Sequence, residues 1–94
     1  MERLRRRRQA GRRFRDGKKA YDALDYDTAA AAFRDAVDLG YASPVARVNL
    51  GLALYKGGHR REARVEWEAA LALVDHGRRP YLEEQVKILL RQFN

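Results

Sequence analysis

The sequence carries one residue pattern twice, and the two copies are separated by 34 positions. Each copy has a glycine, an alanine twelve residues later, an aromatic residue four further on and an alanine three beyond that. Self-similarity at a period of roughly 20–50 residues is typical of supersecondary units that stack on one another. The paired positions are Gly17, Ala29, Phe33, Ala36 and Leu39 in the first copy and Gly51, Ala63, Trp67, Ala70 and Leu73 in the second.

The apolar residues of each copy have helical spacing. In the second copy Val48, Leu52 and Tyr55 recur at three- and four-residue intervals, and a similar series resumes after Gly57-Gly58. This spacing is typical of amphipathic helices, and glycine permits the backbone to reverse between them. We therefore expect each copy to form two antiparallel helices that approach closely at the small residues, with the aromatic side chain beside them.

The glycine, alanine and aromatic pattern at this period resembles the tetratricopeptide repeat. The resemblance covers residues 10–43 and 44–77, and it implies an all-α fold of two antiparallel helical hairpins in a right-handed superhelix. Residues 1–9 would then be a basic N-terminal arm, and residues 78–94 a C-terminal helix that caps the last hairpin. The departures from the family pattern are Arg13 and Arg47 in place of Trp, Asp16 in place of Leu, and Tyr41 or Asp75 in place of Pro.

Local signals predict where the first two helices begin and end. We expect the first helix over about residues 10–23, preceded by a frayed or disordered arm, because the consecutive arginines of residues 1–9 repel one another. The carboxylate of Asp27 is expected to cap the second helix, which would run over residues 28–39. Gly40 is then placed to end that helix in a left-handed conformation.

The later helices have similar signals. Ser43-Pro44 combines a capping residue with a first-turn proline, and Arg60 opens a fourth helix that ends near Val74, before residues 75–77. A fifth helix follows Pro80 and is expected to cover the last hairpin. Its apolar face is wider than a cap needs, which favours self-association. The residues of its predicted seam are Leu82, Val86, Leu89 and Phe93, and the apolar residues outside it are Tyr81, Ile88 and Leu90.

Phe33 and Trp67 occupy the family position that packs between helices. We therefore expect both to be core residues rather than parts of an aromatic binding site. Truncation of a core aromatic residue costs about 3–5 kcal/mol of stability.

The resemblance also implies a partner site, because the leading helices of the family line a groove that holds an extended peptide or a partner helix. The positions carried over combine apolar side chains with basic ones, which suits a protein partner with apolar anchors and acidic groups. The chain would then be a non-catalytic adaptor. Alternatively, Phe14 and Val48 are core, and Val45 and Leu52 are covered by a second copy of the chain. The predicted groove residues are Phe14, Arg15, Lys18, Tyr21, Val45, Val48, Asn49, Leu52, Tyr55, Lys56 and Arg79.

A more specific form of this groove is the carboxylate clamp with which some family members hold the C-terminal carboxylate of heat-shock chaperones. The clamp has Lys, Asn, Asn, Lys and Arg at set places, which here are Phe14, Lys18, Asn49, Arg79 and Glu83. Asn49 matches and Arg79 is similar, whereas Phe14 and Glu83 contradict the pattern. The sequence therefore disfavours this ligand.

The net charge of +7 is concentrated at the N-terminal end. Residues 1–19 carry ten basic and two acidic side chains, a net of +8, and the remainder carries ten and eleven, a net of −1. Such a cluster is expected to contact RNA or DNA phosphates, to dock an acidic protein, or to remain a solvated tail. Anionic lipid is a further alternative, although no apolar run approaches the ~20 residues of a membrane span. The arm residues are Arg5, Arg6, Arg7, Arg8 and Arg12.

The sequence offers no catalytic or metal-binding pattern. His59 and His76 lie on different connections, and the single serine, Ser43, is interpreted as a helix cap. Adjacent carboxylates such as Glu83-Glu84 project to different sides of a helix and form no carboxylate pair. The absence of cysteine excludes disulfides and thiolate chemistry and favours a reducing cytoplasm. We therefore expect neither enzyme activity nor a bound metal or cofactor.

Overall fold

The structure, a computed structural model, describes residues 1–41, 43–74 and 79–93, with the side chain of Ser43 left out. Within these ranges the chain forms five α-helices and no strand, so the predicted all-α fold is confirmed. The helices are α1 Glu2–Asp22, α2 Tyr26–Asp38, α3 Ser43–Lys56, α4 Arg60–Leu73 and α5 Pro80–Gln92.

The helices pack as successive neighbours. Only three residues join α1 to α2 and three join α3 to α4, so each pair folds back on itself as a hairpin. Helix α2 also packs on α3, and α4 packs on α5, which continues the series beyond the second hairpin. The molecule is 18 Å deep along its shortest axis, about the depth of two helix layers.

A glycine and an aromatic ring meet at the same place in each hairpin. A Cβ added at Gly17 would lie 2.6 Å from two ring atoms of Phe33, and one added at Gly51 would lie 2.6 Å from Cδ1 of Trp67. The Trp67 Nε1–H also donates a hydrogen bond of 3.2 Å to the carbonyl oxygen of Val48 on α3. The ring therefore occupies the space that a larger residue on the leading helix would need. The sequence predicted Trp67 beside the close approach, and the structure places it directly against Gly51.

Other equivalent positions behave alike in the two hairpins. The paired alanines of the pattern are fully buried in both, and Phe33 and Trp67 are core residues, as predicted. Leu24 and Gly58, which are also 34 positions apart, both have positive φ, at 63° and 92°. In both turns the N–H of the next residue bonds the carbonyl five positions earlier, Asp25 to Ala20 and His59 to Leu54. The leading helices thus end in the same geometry. The fully buried alanines are Ala29, Ala36, Ala63 and Ala70.

Two predictions about the first hairpin are wrong. Helix α1 begins at Glu2 rather than near residue 10, because no proline separates the arginines from Phe14 and the single glycine, Gly11, costs only about 1 kcal/mol relative to alanine. Residues 2–9 are therefore the first two turns of α1. The cap of α2 is Asp25 and not Asp27, since the Asp25 carboxylate accepts a hydrogen bond of 3.3 Å from the N–H of Thr28.

The remaining helix ends follow the predictions where the structure describes them. Gly40 has a φ of 87° after α2, α4 begins at Arg60, and Pro80 is the first residue of α5. The predicted cap at Ser43, the 75–77 turn with His76, and the predicted boundary between 77 and 78 lie outside the described residues or side chains.

Helix α5 covers the second hairpin with the predicted seam. Val86 is fully buried, and the other three seam residues pack against the core. Leu90 also packs against the core, so its predicted place outside the seam is wrong. Tyr81 and Ile88 are exposed, as expected for residues beside the seam.

Candidate functional site: the face shared by α1, α3 and α5

The leading helices and α5 share one face, which carries two adjoining depressions. The first, of about 100 Å³, lies between α1 and α3 over the ring of Phe33. The second, of about 390 Å³, lies between α3 and α5. Asn49 and Leu52 line both, so the depressions meet on α3. We call this surface the α1–α3–α5 face. Its lining residues are Lys18, Tyr21, Asp22, Asn49, Leu52, Gln85, Ile88 and Leu89.

Two lysines give one side of this face a positive rim. Lys18 Nζ lies 6.0 Å from the centre of the Phe14 ring, and Lys56 Nζ lies 5.9 Å from the centre of the Tyr21 ring. No ion pair among the described residues includes either ammonium group. Asp22 is the acidic side chain that lines the first depression. A bound acidic group would therefore meet two ammonium groups that have no carboxylate partner of their own.

Three predicted groove residues pack in the core or against it. Phe14 is buried and stacks on Tyr41 with ring centroids 4.3 Å apart. Tyr55 packs against Phe93 of α5 at 4.5 Å, which covers the ring that the sequence placed in the groove. Val48 is also buried, although it borders the second depression. Interhelical packing thus occupies the rings of Phe14 and Tyr55, and their role as ligand contacts stays a prediction.

Other predicted residues lie beside the face rather than in it. Val45 is partly buried and packs against the core, and neither Arg15 nor Arg79 lines a depression. The carboxylate of Glu83 is 3.1 Å from Nζ of Lys87 one turn later. The face thus brings together Lys18, Tyr21, Asn49 and Leu52 of the predicted set, with Lys56 above Tyr21.

Sequence reasoning missed the contribution of α5. Gln85, Ile88 and Leu89 line the second depression, whereas the resemblance suggested Arg79 and Glu83 for this helix. The available signal was Ile88, an apolar residue outside the core-facing seam. Such a residue on a capping helix indicates a second apolar surface.

A buried carboxylate that the sequence did not predict joins the hairpins. Glu66 of α4 is 7% exposed, and its Oε1 lies 2.9 Å from Arg47 Nη1 on α3. Its Oε2 lies 3.7 Å from Arg34 Nη1 on α2. The carboxylate therefore links three helices, and its charge is matched by the guanidinium groups around it.

The first hairpin has an ion pair at Arg13, which is 34 positions before Arg47, but its carboxylate partners are not equivalent to Glu66. Arg13 lies 2.9 Å from Asp35 on α2 and 3.1 Å from Asp16 on α1. Burial alone would lower the pKa of Arg13, but the hydrogen bonds to Asp16 and Asp35 outweigh it and raise that pKa above its ordinary value. Arg13 and Arg47, which stand where the resembled family has tryptophan, thus hold each hairpin through an ion pair.

Comparison with known proteins adds no assignment: no family model, characterised protein or solved structure matches the chain. Among the described residues, no three His, Asp or Glu side chains are grouped as metal ligands. The described helices also include none with the length and apolar character to cross a bilayer.

Proposed function

We propose that the chain is a non-catalytic adaptor that binds a partner peptide or helix on the α1–α3–α5 face. The observation that carries this proposal is the continuity of the two depressions across Asn49 and Leu52. A ligand that lies across α3 would contact all three helices at once. The resemblance to the tetratricopeptide repeat remains a prediction, and it agrees with this use of the face. A cytoplasmic location also remains a prediction.

The lining of the face suggests the chemistry of the ligand. Leu52 and Ile88 offer apolar contacts for aliphatic or aromatic anchors, while the amides of Asn49 and Gln85 can bond a peptide backbone. The unpaired ammonium groups at the α1 side favour a carboxylate at that end of the ligand. We therefore expect the ligand to be a segment with an acidic residue at one end and an apolar residue farther along, separated from it by about the distance between two neighbouring helices.

The test is a selection of displayed peptides of about twelve residues on the full chain. We expect the selected peptides to share an acidic residue and an apolar anchor. The groove variant is Lys18→Glu with Ile88→Asp, which changes one exposed side chain at each end of the face. It should lower the affinity for the selected peptides tenfold or more (about 1.4 kcal/mol or more). The first change removes the attraction of Lys18 for the acidic residue, and the second places a charge against the apolar anchor.

The matched control is Lys19→Glu with Val65→Asp. Lys19 is the neighbour of Lys18 on α1, and Val65 is 61% exposed on α4, which borders neither depression. The control makes the same changes of residue charge and should leave peptide affinity unchanged. Equal affinity of both variants for the peptides would refute the proposed face.

Self-association is the competing use of this face. If a second copy of the chain covers it, sizing chromatography should show a dimer that depends on protein concentration. The groove variant should then become monomeric while the control variant stays dimeric. That result would replace the adaptor proposal.

A further inference from the structure

The exposed end of α1 carries arginines that the fold does not use. Residues 1–9 are all exposed, and α2 ends beside Ala10, where Leu39 and Tyr41 border a depression with Leu4 and Arg7. Helix α1 thus has eight residues before Ala10, a length of roughly 12 Å at about 1.5 Å per residue, and Leu4, Arg7 and Arg8 among them border residues 39–41.

Six arginine side chains at this end have no partner among the described residues. No ion pair, side-chain hydrogen bond or ring contact includes them, whereas Arg13, Arg34, Arg47 and Arg91 all pair with carboxylates. Glu2 is the single acidic residue in the first twelve positions. Like charges one turn apart destabilise a helix, so a polyanion that bound here would relieve an existing repulsion. The six residues are Arg3, Arg5, Arg6, Arg7, Arg8 and Arg12.

The six side chains fall into two groups on opposite sides of the helix. At about 100° per residue, the inner arginines project on the side that α1 buries further along, and the outer arginines project about 180° away. A flat partner, such as a bilayer or the surface of an acidic protein, can contact one of these sides only. The inner arginines are Arg3, Arg6 and Arg7, and the outer arginines are Arg5, Arg8 and Arg12.

A partner that contacts both sides must surround the helix. The major groove of B-form DNA, about 12 Å wide and 8.5 Å deep, admits an α-helix of 10–12 Å diameter between two rows of phosphates. The deep, narrow major groove of A-form RNA does not admit a helix in this way.

The charges near this end agree with such a partner. Of the acidic groups of α2 near this end, Asp35 is neutralised by Arg13 at 2.9 Å, and Asp38 lines a depression with Arg12 and Arg13. A lipid-facing helix needs a continuous apolar side, and residues 1–9 offer only Met1 and Leu4.

We propose that the arginine-bearing end of α1, residues 2–12, binds the major groove of double-stranded DNA, with the inner and outer arginines on opposite phosphate rows. This site lies on α1 away from the α1–α3–α5 face and is independent of the proposed adaptor function. The contacts are to phosphates, so binding is insensitive to base sequence.

The test is fluorescence anisotropy of the full chain with a labelled DNA duplex of about 20 base pairs. With six phosphate contacts, log Kd against log salt concentration has a slope of about 5, and affinity falls roughly a thousandfold between 50 and 200 mM salt. Two variants with equal charge change separate the sides of the helix. One replaces the inner arginines with Gln and the other replaces the outer arginines with Gln.

Both variants should lose affinity to a similar extent, and the slope of each should fall to about 3, because each loses three contacts. The control variant, Lys19→Gln with Arg61→Gln and Arg79→Gln, removes three exposed positive charges elsewhere and should keep the slope of the original chain. Helical content and thermal stability of all three variants should match the original, since every substituted side chain is exposed.

Several results would overturn the proposal. Loss of affinity in only one of the two arginine variants would indicate a flat partner. Equal or tighter binding to single-stranded DNA or duplex RNA of the same length would exclude the major groove. Binding to phosphatidylserine vesicles without binding to the duplex would assign the arginines to a membrane surface.

Discussion

Substitution of Gly51 by alanine tests the packing on which both hairpins depend. Alanine normally stabilises a helix interior by about 1 kcal/mol relative to glycine. Here the added Cβ would lie 2.6 Å from Cδ1 and 2.8 Å from Cε2 of Trp67, and nearer still to Nε1. The indole cannot retreat easily, because it is fully buried and its Nε1–H bonds the Val48 carbonyl. Overpacking of this kind costs about 1–3 kcal/mol, so the usual sign of the substitution should reverse.

We expect Gly51→Ala to lower the free energy of unfolding by up to about 2 kcal/mol, the overpacking cost less the gain in helix propensity, which corresponds to up to roughly 15 °C in Tm for a chain of this size. Thermal and urea unfolding followed by circular dichroism measure both quantities. Gly11→Ala is the matched control, since its Cβ would meet nothing nearer than 3.4 Å and that neighbour is the mobile end of Arg15. It should stabilise the chain by up to about 1 kcal/mol.

A second substitution, at Trp67, should reveal the energetic coupling between Gly51 and the ring. Trp67→Leu removes the ring that the new Cβ would meet, so the double variant with Gly51→Ala should cost less than the sum of the two single variants. Stabilisation by Gly51→Ala comparable to that by Gly11→Ala, or strictly additive single effects, would refute the close approach of α3 and α4.

Three other sites offer substitutions with expected effects on unfolding. Leu24→Gly should stabilise the chain by about 0.5–1 kcal/mol, because Leu24 has a φ of 63° and is 72% exposed, whereas Gly58→Ala at the equivalent position should destabilise it by about 1 kcal/mol. A loss of stability in Leu24→Gly would contradict this. Glu66→Ala should cost about 1–3 kcal/mol of stability, since it leaves the arginines around it without their carboxylate. Glu68→Ala is the control: it removes an exposed ion pair with Arg64 on the same helix and should cost under about 0.5 kcal/mol. Equal losses of stability in these two variants would show that the buried ion pairs of Glu66 stabilise the fold no more than an exposed pair does. Trp67→Ala should cost about 3–5 kcal/mol, and retention of a cooperative unfolding transition near the original Tm would refute its core role.

The fold was predictable from the sequence in the part of the chain that carries the 34-residue pattern. Gly17 with Phe33 and Gly51 with Trp67 indicated two like hairpins, because a glycine and an aromatic residue at complementary positions define where two backbones approach. The start of α1 was not predictable in the same way. Arginine has good helix propensity but repels its neighbours, and a sequence does not show which of these effects decides.

The candidate site was only partly predictable, because a residue on the correct helix face can still be covered by a later helix. Tyr55 has the periodicity of a groove residue, yet Phe93 of α5 lies against it. Lys18, Asn49 and Leu52 line the depressions, and α5 borders Asn49 and Leu52 through Gln85, Ile88 and Leu89. Glu66 was not predicted as a buried residue. In sequence, a buried glutamate on a helix looks the same as an exposed one, and only the positions of its arginine partners on α2 and α3 distinguish the two.

The α1–α3–α5 face is tested most directly by amide NMR spectra of the full chain titrated with a selected peptide. We expect the largest changes in chemical shift at Lys18, Asn49 and Ile88, with the signals of Val65 and Glu68 on α4 unchanged. Largest changes on α4, or changes spread evenly over all five helices, would contradict a binding site on this face.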